Sequence, residues 1–486
     1  MKTEWLTILF KKLISLIGFC FIINSLLAQN PDANRTNHWF FGENAGLDFS
    51  SGTAIADTNG KMTVLEGSAT ISDTDGNLLF YTDGKTVWNA EHDTMMNGSG
   101  LAVGLYGTPR QGALIVPKPG SNIVYYIFTV DGFEHQWQNG LQYSVVDMTL
   151  DNGRGGITQK NILLFTPSTE QLAGVKDASG CGYWIVSHER YSNRFRAYRI
   201  TTEGVDTNAV VSAIGADYGY MASLQMAAGG LQLKFSPDAA FAASFNFWAF
   251  LNGTQIPDTL ELYQFNSSSG LFSNKLIIPT DTNIHAYVFS PNSKMLFVES
   301  GYLADPIFCY TLTIYDQNAI TNSKFFVWSP INYTQTNGDF QITPDEKIIG
   351  GNELQYSLNE IQSPNLFPQY FPQSISLAGK EALSGLPNFI QSYFYDSATI
   401  CTTSISEIEN DSIHLFPNLA HDWLEVSGND FEQVQLFDIT GKLIFVTTIK
   451  NISQNFRIDI SNFPRGIYII SCSSKNNYFN QKIILQ

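Results

Sequence analysis

The sequence predicts an all-β protein, and three features of its pattern support that class. From residue 37 to about residue 395, short runs rich in β-branched and aromatic residues alternate with turns of Gly, Asn, Asp and Pro, as at residues 77–82, 123–130 and 183–187. Helical periodicity is scarce in this region. Apolar residues make up 44% of the chain, which is enough for a packed core, and the length of 486 residues indicates more than one domain.

A recurring turn precedes many of these runs. Tetrapeptides that begin at Phe235, Phe289 and Ile342 each contain Pro followed by Asp or Asn, at separations of 54 and 53 residues. Gly-containing turns at residues 75–76, 119–120 and 179–180 are interpreted as earlier copies of the same unit. About seven units fit the region, and a period of ~40–50 residues with four short strands per unit is typical of a β-propeller.

We therefore predict a seven-bladed β-propeller over residues 29–396. Residues 39–42 are expected to complete the last blade by pairing near a strand at residues 389–395. In the repeated turn, Pro presets φ and the Asp or Asn after it is expected to tolerate left-handed geometry. These turns therefore indicate fold rather than function.

Residues 1–28 are expected to be a secretory signal peptide. Two lysines precede an apolar run at residues 13–23 that is short for a membrane span, and cleavage is expected after Ala28. A lipoprotein leader using Cys20 is the alternative, and the bulky residue before that cysteine argues against it. No later stretch approaches 18 apolar residues, so we expect no transmembrane span in the mature chain.

Charge and cysteine content exclude several classes of protein. The formal net charge is −17, and it becomes −19 without the leader, whose own net charge is +2. Such an acidic chain is not expected to bind nucleic acid or an anionic membrane surface. The acidity fits solubility outside the cell. Calcium binding is the alternative, although no run matches D-x-[DN]-x-[DN]-G. The cysteines beyond the leader lack C-x-x-C spacing, so we expect buried free thiols rather than a zinc site at Cys181, Cys309, Cys401 and Cys472.

Several runs in the first half resemble a known group of proteins. They are HWFFGENAGLDF at residues 38–49, EGSATISD at 66–73, GNLLFYTDG at 76–84 and YWIVSHE at 183–189, with shorter pieces at 87–89 and 115–120. These runs are similar to the N-terminal propeller region of gliding-motility-associated surface proteins. The resemblance implies an exported or surface protein, and it implies no particular reaction.

The C-terminal part gives a second, more specific resemblance. Seven short runs, near residues 413, 423, 434, 443, 456, 467 and 482, predict a small Ig-like β-sandwich over residues 411–486, after a polar linker at 397–410. The runs LFPN, VQLFDITGK, IDISNFPRGIY and QKIILQ resemble, in that order, a type A sorting domain of type IX secretion. The resemblance implies that the translocon of that system binds this domain. The motif residues are Pro417, Asn418, Asp438, Gly441, Lys442, Gly466, Tyr468 and Lys482.

Residues whose side chains could catalyse a reaction or bind a ligand are scattered in the predicted propeller. Carboxylates ~5–10 Å apart at a channel mouth would suit glycoside hydrolysis. Strand alternation is expected to point His188 and Glu189 to opposite faces, which disfavours a shared metal site. Because no H-E-x-x-H, G-x-S-x-G or P-loop pattern is present, we assign no catalytic residue, metal ligand or cofactor. The candidates for the propeller face are Glu66, Asp83, Trp88, His92, His188 and Glu189.

Two hypotheses about function follow. In the first, the protein is a secreted or cell-surface binding module whose propeller face holds a glycan or protein partner. In the second, it is a secreted polysaccharide hydrolase or lyase with acidic residues at the channel. Either sugar stacking or core packing would explain an aromatic set made up of Trp88, Trp137, Tyr143, Trp184 and Trp248. Carboxylates and a histidine converging at the channel mouth would favour the enzyme, whereas apolar or amide side chains there would favour the binding module.

Overall fold

Strands dominate the protein, which confirms the all-β prediction. The chain divides into two compact units, Met1–Ile400 and Cys401–Gln486. The computed structural model describes residues 31–104, 109–132, 138–216, 232–246, 250–251, 254–255, 259–278, 284–300, 306–329, 337–352, 355–395, 413–416, 419–420, 422–428, 433–438, 442–448, 456–473 and 478–485. The predicted leader and linker lie outside these residues.

The N-terminal unit consists of antiparallel sheets built from consecutive strands. The first sheet contains β1 (His38–Phe41), β2 (Ala45–Asp48) and β3 (Ile55–Ala56). The second contains β4 (Ala69–Ser72), β5 (Leu78–Thr82), β6 (Thr86–Asn89) and β7 (Thr94–Ser99). The third contains β8 (Ala113–Pro117), β9 (Val124–Val130), β10 (Leu141–Asp147) and β11 (Gly156–Phe165). A single parallel pairing, of Gly156 with Met96, joins the second sheet to the third.

Four further sheets follow in the same way. The fourth contains β12 (Ser168–Lys176), β13 (Tyr183–Glu189), β14 (Arg194–Thr201), β15 (Gly204–Val205) and β16 (Val210–Ala213). The fifth contains β17 (Leu233–Phe235), β18 (Phe241–Asn246), β21 (Thr259–Asn266) and β22 (Leu271–Ile278), and a small hairpin of β19 (Phe250–Leu251) and β20 (Thr254–Gln255) is inserted in it. The sixth contains β23 (Ile284–Phe289), β24 (Met295–Ser300), β25 (Ile307–Thr311) and β26 (Phe325–Trp328). The seventh contains β27 (Asn337–Ile342), β28 (Ile348–Asn352), β29 (Ser357–Gln362) and β30 (Gln369–Ser376).

Helices are short in the part of the chain that the structure describes. Helix α1 (Gln317–Asn322) begins after Asp316, whose carboxylate accepts hydrogen bonds from the main-chain N–H groups of Asn318 and Ala319 and so caps the helix. Turns of 3₁₀-helix occupy Ala33–Thr36, Asp151–Gly153 and Gln391–Phe394. None of the described helices has the length and hydropathy needed to cross a bilayer.

The recurring turn joins the first strand to the second in six successive sheets. In the three proline-containing copies, a Ser or Thr hydroxyl donates to the Asp or Asn two residues later, at 2.6, 2.7 and 2.5 Å. The left-handed residue is the one after that Asp or Asn, which corrects the expectation from the sequence. Its φ is 62° at Ala239, 62° at Ser293 and 59° at Glu346. In the three earlier copies the left-handed residue is Gly76, Gly120 or Gly180.

The correction has a local physical reason. The carboxylate of Asp238 accepts hydrogen bonds from the Ser236 hydroxyl and from the main-chain N–H of Ala240. These bonds hold Asp238 in the body of the turn, and the chain reverses one residue later. Glycine adopts that left-handed conformation without steric cost, whereas alanine pays about 1 kcal/mol or more.

Neighbouring sheets share apolar cores, and the last sheet shares one with the first. Phe40 stacks on Tyr81 at 4.4 Å between the first and second sheets, and Phe195 stacks on Phe272 at 4.5 Å between the fourth and fifth. One core joins the second, third and fourth sheets, and another joins the fifth and sixth. The core that contains Trp39 joins the sixth, seventh and first sheets. The first strand of each sheet, from β1 to β23, also lies beside the first strand of the following sheet. The cores therefore follow a closed cycle of sheets.

The chain after β30 runs back into this cycle. Glu43 forms isolated backbone β-bridges with both Thr63 and Glu381, and Ser68 forms one with Pro387. The prediction of a strand at residues 389–395 is wrong, because Gln391–Phe394 forms 3₁₀-helix. Trp39 does lie near this segment, with its ring 5.7 Å from that of Phe389. A strand needs a continuous partner along one edge, whereas this segment bonds to several different sheets.

The C-terminal unit has two sheets around one core. The first contains β31 (Ile413–Phe416), β33 (Trp423–Gly428) and β36 (Phe456–Asp459). The second contains β32 (Leu419–Ala420), β34 (Gln433–Asp438), β35 (Leu443–Thr448), β37 (Gly466–Ser473) and β38 (Tyr478–Leu485). Leu424 and Val426 from the first sheet pack with Leu436 and Ile470 from the second. All seven runs predicted from the sequence lie within strands, and β32 is an additional short strand.

The expectation of buried free thiols is confirmed for two of the cysteines and wrong for a third. Cys309 and Cys472 are free and buried, but Cys181 is disulfide-bonded. Burial raises the pKa of the Cys472 thiol to about 12, so this group stays protonated and unreactive at neutral pH. Cys401 lies outside the described residues.

Candidate functional site

The centre of the cycle is the natural place to look for a site, and amide side chains occupy it. Gln111 precedes β8 and is 4% exposed. Its Oε1 accepts hydrogen bonds from the main-chain N–H groups of Leu172, at 3.3 Å, and Leu233, at 2.7 Å. Its Nε2 donates to the carbonyl of Leu233 at 2.7 Å. One amide thus joins the first strands of the fourth and fifth sheets to the chain that enters the third.

Arg110 extends the same arrangement across the centre. Its Nη1 donates to the carbonyls of His285, at 2.5 Å, and Gly338, at 2.9 Å, which belong to the sixth and seventh sheets. Its Nε lies 3.8 Å from Oε1 of Glu66, which precedes the second sheet. Hydrogen bonds to a charged donor contribute about 1.5–3 kcal/mol each. The consecutive pair Arg110 and Gln111 therefore connects six of the seven sheets.

A buried ion pair lies beside this pair of residues. Lys234 Nζ is 2.8 Å from Oδ1 of Asp339, and the two side chains are 5% and 7% exposed. The same Asp339 oxygen accepts a hydrogen bond from Nε2 of Gln232 at 2.9 Å. Nε2 of Gln171 donates to the Gln232 carbonyl at 3.2 Å and to Ser244 Oγ at 2.8 Å. Removing one partner of such a pair leaves an uncompensated buried charge, so the loss of either residue would destabilise this region.

The returning chain closes the centre. The main-chain N–H of Asn388 donates to Ser68, and its Nδ2 donates to the carbonyls of Ala113, at 3.2 Å, and Leu172, at 2.9 Å. Gln341 Nε2 donates to the Pro387 carbonyl at 2.8 Å. The segment therefore bonds to the second, third, fourth and seventh sheets at once. Among the described residues, amide side chains and main-chain groups of neighbouring sheets therefore bond to one another at the centre.

Only Glu66, among the six face candidates, lies beside this centre, next to Arg110. Asp83 lies in the turn between β5 and β6, where its Oδ1 accepts from the N–H groups of Lys85 and Thr86. Burial raises the pKa of Asp83, against the effect of these hydrogen bonds. Asp83 thus serves the turn in which it lies.

Trp88 and His92 are brought together through a third residue. The ring of Trp88 stacks on Tyr81 with centroids 5.5 Å apart, and the Tyr81 hydroxyl lies 3.2 Å from Nδ1 of His92. Burial raises the pKa of Tyr81 to about 12 and lowers the pKa of His92. Both groups are therefore neutral at pH 7. The cluster packs the second sheet against the first.

His188 and Glu189 have different surroundings although they are adjacent. His188 is fully buried on β13, with its ring edge-on to Phe195 at 4.7 Å, and burial lowers its pKa to about 3. Glu189 binds Arg196 at 2.7 Å and lies 3.7 Å from Arg194. The structure does not bring either residue to the centre. No cluster of three His, Cys, Asp or Glu side chains able to hold a metal occurs among the described residues.

The aromatic residues singled out in the sequence lie in different parts of the sheets. Trp184 is 4% exposed, and its Nε1 donates to the carbonyl of Ser267 at 2.7 Å. Tyr143 packs with Tyr126 and Phe128 beside the core of the third sheet. Trp137 and Trp248 lie outside the described residues. The described members of the set pack within and between sheets.

Reasoning from sequence missed Arg110, Gln111, Asp339 and Asn388. One weak signal was present, because Gln111, Gln171 and Gln232 each stand at or just before the first strand of a sheet. A buried glutamine at the same point of successive repeats indicates an amide that bonds across the repeats. The partners it bonds to are not evident from spacing.

Residues of the predicted sorting motif occupy the C-terminal unit. Asp438 ends β34, and its Oδ1 accepts from the N–H of Lys442 at 3.0 Å, which closes the turn to β35. Tyr468 on β37 is 5% exposed, and its hydroxyl donates to the Pro464 carbonyl at 2.8 Å. Gly466 begins β37, and Lys482 on β38 is the register partner of Ile469 on β37. Pro417, Asn418 and Gly441 lie outside the described residues.

Comparison with known families decides what this unit is similar to. Residues 414–486 match the secretion system C-terminal sorting domain. The sorting domain marks proteins that leave the cell through type IX secretion, so the protein is secreted or attached to the cell surface. The sorting domain also implies an interaction with that secretion system.

Comparisons beyond the sorting domain are weak. No curated protein matches the chain. A functionally unknown protein from Desulfotomaculum acetoxidans is 12% identical, with a TM-score of 0.42, over 73% of this chain and 99% of its own. A putative 6-phosphogluconolactonase from Bacteroides fragilis is also 12% identical, with a TM-score of 0.40, over 72% of this chain and 97% of its own. At such TM-scores and identities, neither likeness decides the fold or the activity of this protein.

Proposed function

We propose that the protein is an exported β-propeller that acts as a binding module for a glycan or protein partner. Residues 29–396 form seven blades, residues 397–410 form a linker and residues 411–486 form an Ig-like sorting sandwich. Seven antiparallel sheets whose shared cores form a closed cycle support the propeller. Two sheets around one core support the sandwich.

The observation that carries the binding role is the chemistry of the centre. The side chains of Arg110, Gln111 and Asn388 lie there, whereas a hydrolase would need carboxylates that converge on a substrate. Their polar atoms bond to the protein's own backbone. The carboxylate of Asp339 is paired with Lys234. A ligand therefore binds on the outside of the sheets or on their turns.

A direct experiment separates binding from turnover. The purified mature protein is applied to a glycan array and to insoluble polysaccharides, and reducing ends released from the same polysaccharides are measured. We expect retention on at least one ligand with no release of reducing ends. Steady release that Glu66→Gln abolishes would overturn the binding role in favour of the hydrolase.

Export is tested through the sorting domain. We expect a chain that lacks residues 411–486 to keep its leader processing but to remain inside the outer membrane. The full chain, expressed at the same level, is the control, and fractionation with immunoblotting is the measurement. Equal amounts of both chains outside the cell would contradict the proposed role of the sandwich.

A further inference from the structure

Three adjoining depressions surround one turn of the fifth sheet, at residues 266–270 between β21 and β22. Their volumes are about 470, 480 and 260 Å³. The first and second share Asn266 and Ser273, and the second and third share Asp238, Ala239 and Ser267. They adjoin one another through these shared residues, and we call the three together the β21–β22 groove.

Uncharged polar side chains line most of this groove. The first depression is lined by serines, an asparagine and apolar residues, without any charged side chain. In the second the charged residue is Asp238, whose Oδ1 is engaged by Ser236 and Ala240. Among the described residues, Asp238 is therefore the one charged side chain that lines these two depressions, on a protein whose formal charge is −17.

Charges in the third depression are compensated by neighbours. Lys176 Nζ lies 2.5 Å from Oδ2 of Asp32. Asp177 Oδ2 lies 2.7 Å from Nη2 of Arg199, and the Asp177 side chain is 2% exposed. Neither side chain offers a free charge to a ligand. An anionic ligand would find no unpaired cation among the residues that line the groove.

Hydroxyl groups and apolar side chains alternate along the wall. Within the described residues, the hydroxyls of Ser269 and Ser273 hydrogen bond to no other protein group. Leu271, between them in the chain, is 44% exposed, and Phe272 lies beneath at 6% exposed. A wall with exposed apolar surface beside free hydroxyls suits a ligand that has both C–H faces and O–H edges.

The turn that forms the groove is held rigidly. Gly270 has φ of +75°, and a Cβ there would lie 2.7 Å from the Trp184 ring. The Ser267 carbonyl accepts from Trp184 Nε1 at 2.7 Å and from the Ala178 N–H at 3.1 Å. A surface held in one conformation loses little entropy when it binds a ligand.

We propose that the β21–β22 groove binds a neutral oligosaccharide chain. The inference rests on the proposed function, because it assigns the ligand class and the place on a module that binds. A neutral glycan matches the lack of an unpaired cation, the serine hydroxyls and the exposed apolar surface beside them. Trp184, under the turn, reports occupancy through its fluorescence.

Isothermal titration of the mature protein tests the groove. The probes are cellohexaose, laminarihexaose and maltohexaose, with an oligogalacturonate of equal length as the charged comparison. We expect at least one neutral hexasaccharide to bind, and Ser273→Trp, which fills the groove, to weaken that binding tenfold or more. Ser374→Trp is the matched control, because Ser374 is likewise exposed on the outer strand of its sheet, and it keeps wild-type affinity.

Each outcome decides a separate point. Circular dichroism confirms the fold of both variants, and a fluorescence change on titration that is absent in Trp184→Phe supports the site even if Ser273→Trp misfolds. Equal affinity of Ser273→Trp and wild type overturns the groove and leaves the binding module intact. The assigned ligand class is overturned if oligogalacturonate binds more tightly or if none of the neutral probes binds. It is also overturned if a peptide ligand binds and Ser273→Trp blocks it. The binding module would then have a protein partner.

Discussion

His188 makes the stability of the N-terminal unit depend on pH between 7 and 5, and its replacement reduces that dependence. The ring is fully buried against Phe195, and burial lowers its pKa to about 3. In the unfolded chain a histidine titrates near pH 6.5. Between these values the unfolded chain takes up a proton that the folded chain does not.

The sign and size of the effect follow from proton linkage. Stability rises with pH wherever the unfolded state binds more protons, so the stability present at pH 7 falls as the pH drops below 6.5. With a folded pKa of about 3, the free energy of unfolding is about 2 kcal/mol lower at pH 5 than at pH 7 through this residue.

Urea unfolding of the mature protein at pH 7, 6 and 5 measures the effect. We expect the wild-type free energy of unfolding to fall by about 2 kcal/mol through His188. His188→Leu should show a shallower profile that keeps the contribution of His92, whose pKa burial also lowers. His285→Gln is the matched control, because it leaves His188 in place and should keep the wild-type slope. Identical slopes in His188→Leu and wild type would refute this account of the buried histidine.

Three further predictions concern the centre, the repeated turn and the N-terminal contact. Arg110→Lys should lower the free energy of unfolding by about 2–4 kcal/mol in urea denaturation, because an ammonium group cannot keep the guanidinium geometry that reaches two carbonyls; an unchanged value would mean that this contact adds nothing. Ala239→Gly should raise the free energy of unfolding by about 0.5–1 kcal/mol, since φ is 62° there, and Gly120→Ala should lower it; thermal melts that move the other way would contradict this. Burial acts to raise the pKa of Asp32, but Lys176 and a nearby arginine outweigh it and hold that pKa below its usual value. The resulting stability is present above the ordinary pKa of an aspartate and is lost as the pH falls through the lowered pKa of Asp32. Asp32→Asn should therefore destabilise the protein at pH 7, and the difference from wild type should shrink as the solution is made more acidic.

Much of the local structure could be predicted because its causes are local. The turns at Gly76, Gly120 and Gly180 occur where the sequence places glycine, since this residue adopts positive φ without cost. The seven runs of the C-terminal unit alternate in apolar character over a few residues, and each lies within a strand. The sorting motif is also a short pattern within one domain, and the family match confirms it.

The centre could not be predicted, because its contacts join residues far apart in the chain. Gln111 bonds to Leu233 across 122 positions, and Arg110 bonds to Gly338 across 228. No spacing or periodicity encodes such pairs. The segment at residues 389–395 looked like a strand because its composition is apolar and aromatic. It is 3₁₀-helix because its neighbours on several sheets, rather than one strand edge, decide its hydrogen bonds.

By itself, the sequence determined the all-β class, the positions of the repeated turns, the sandwich strands and the export of the protein. These depend on hydrophobic alternation, on turn residues and on a short motif, all of which act over a few positions. Only the tertiary structure decided that Arg110, Gln111 and Asn388 bond to several sheets at the centre, that His188 is buried and neutral, and that a groove borders β22. Those features depend on which distant segments pack together, because burial and hydrogen-bond partners are properties of the assembled sheets.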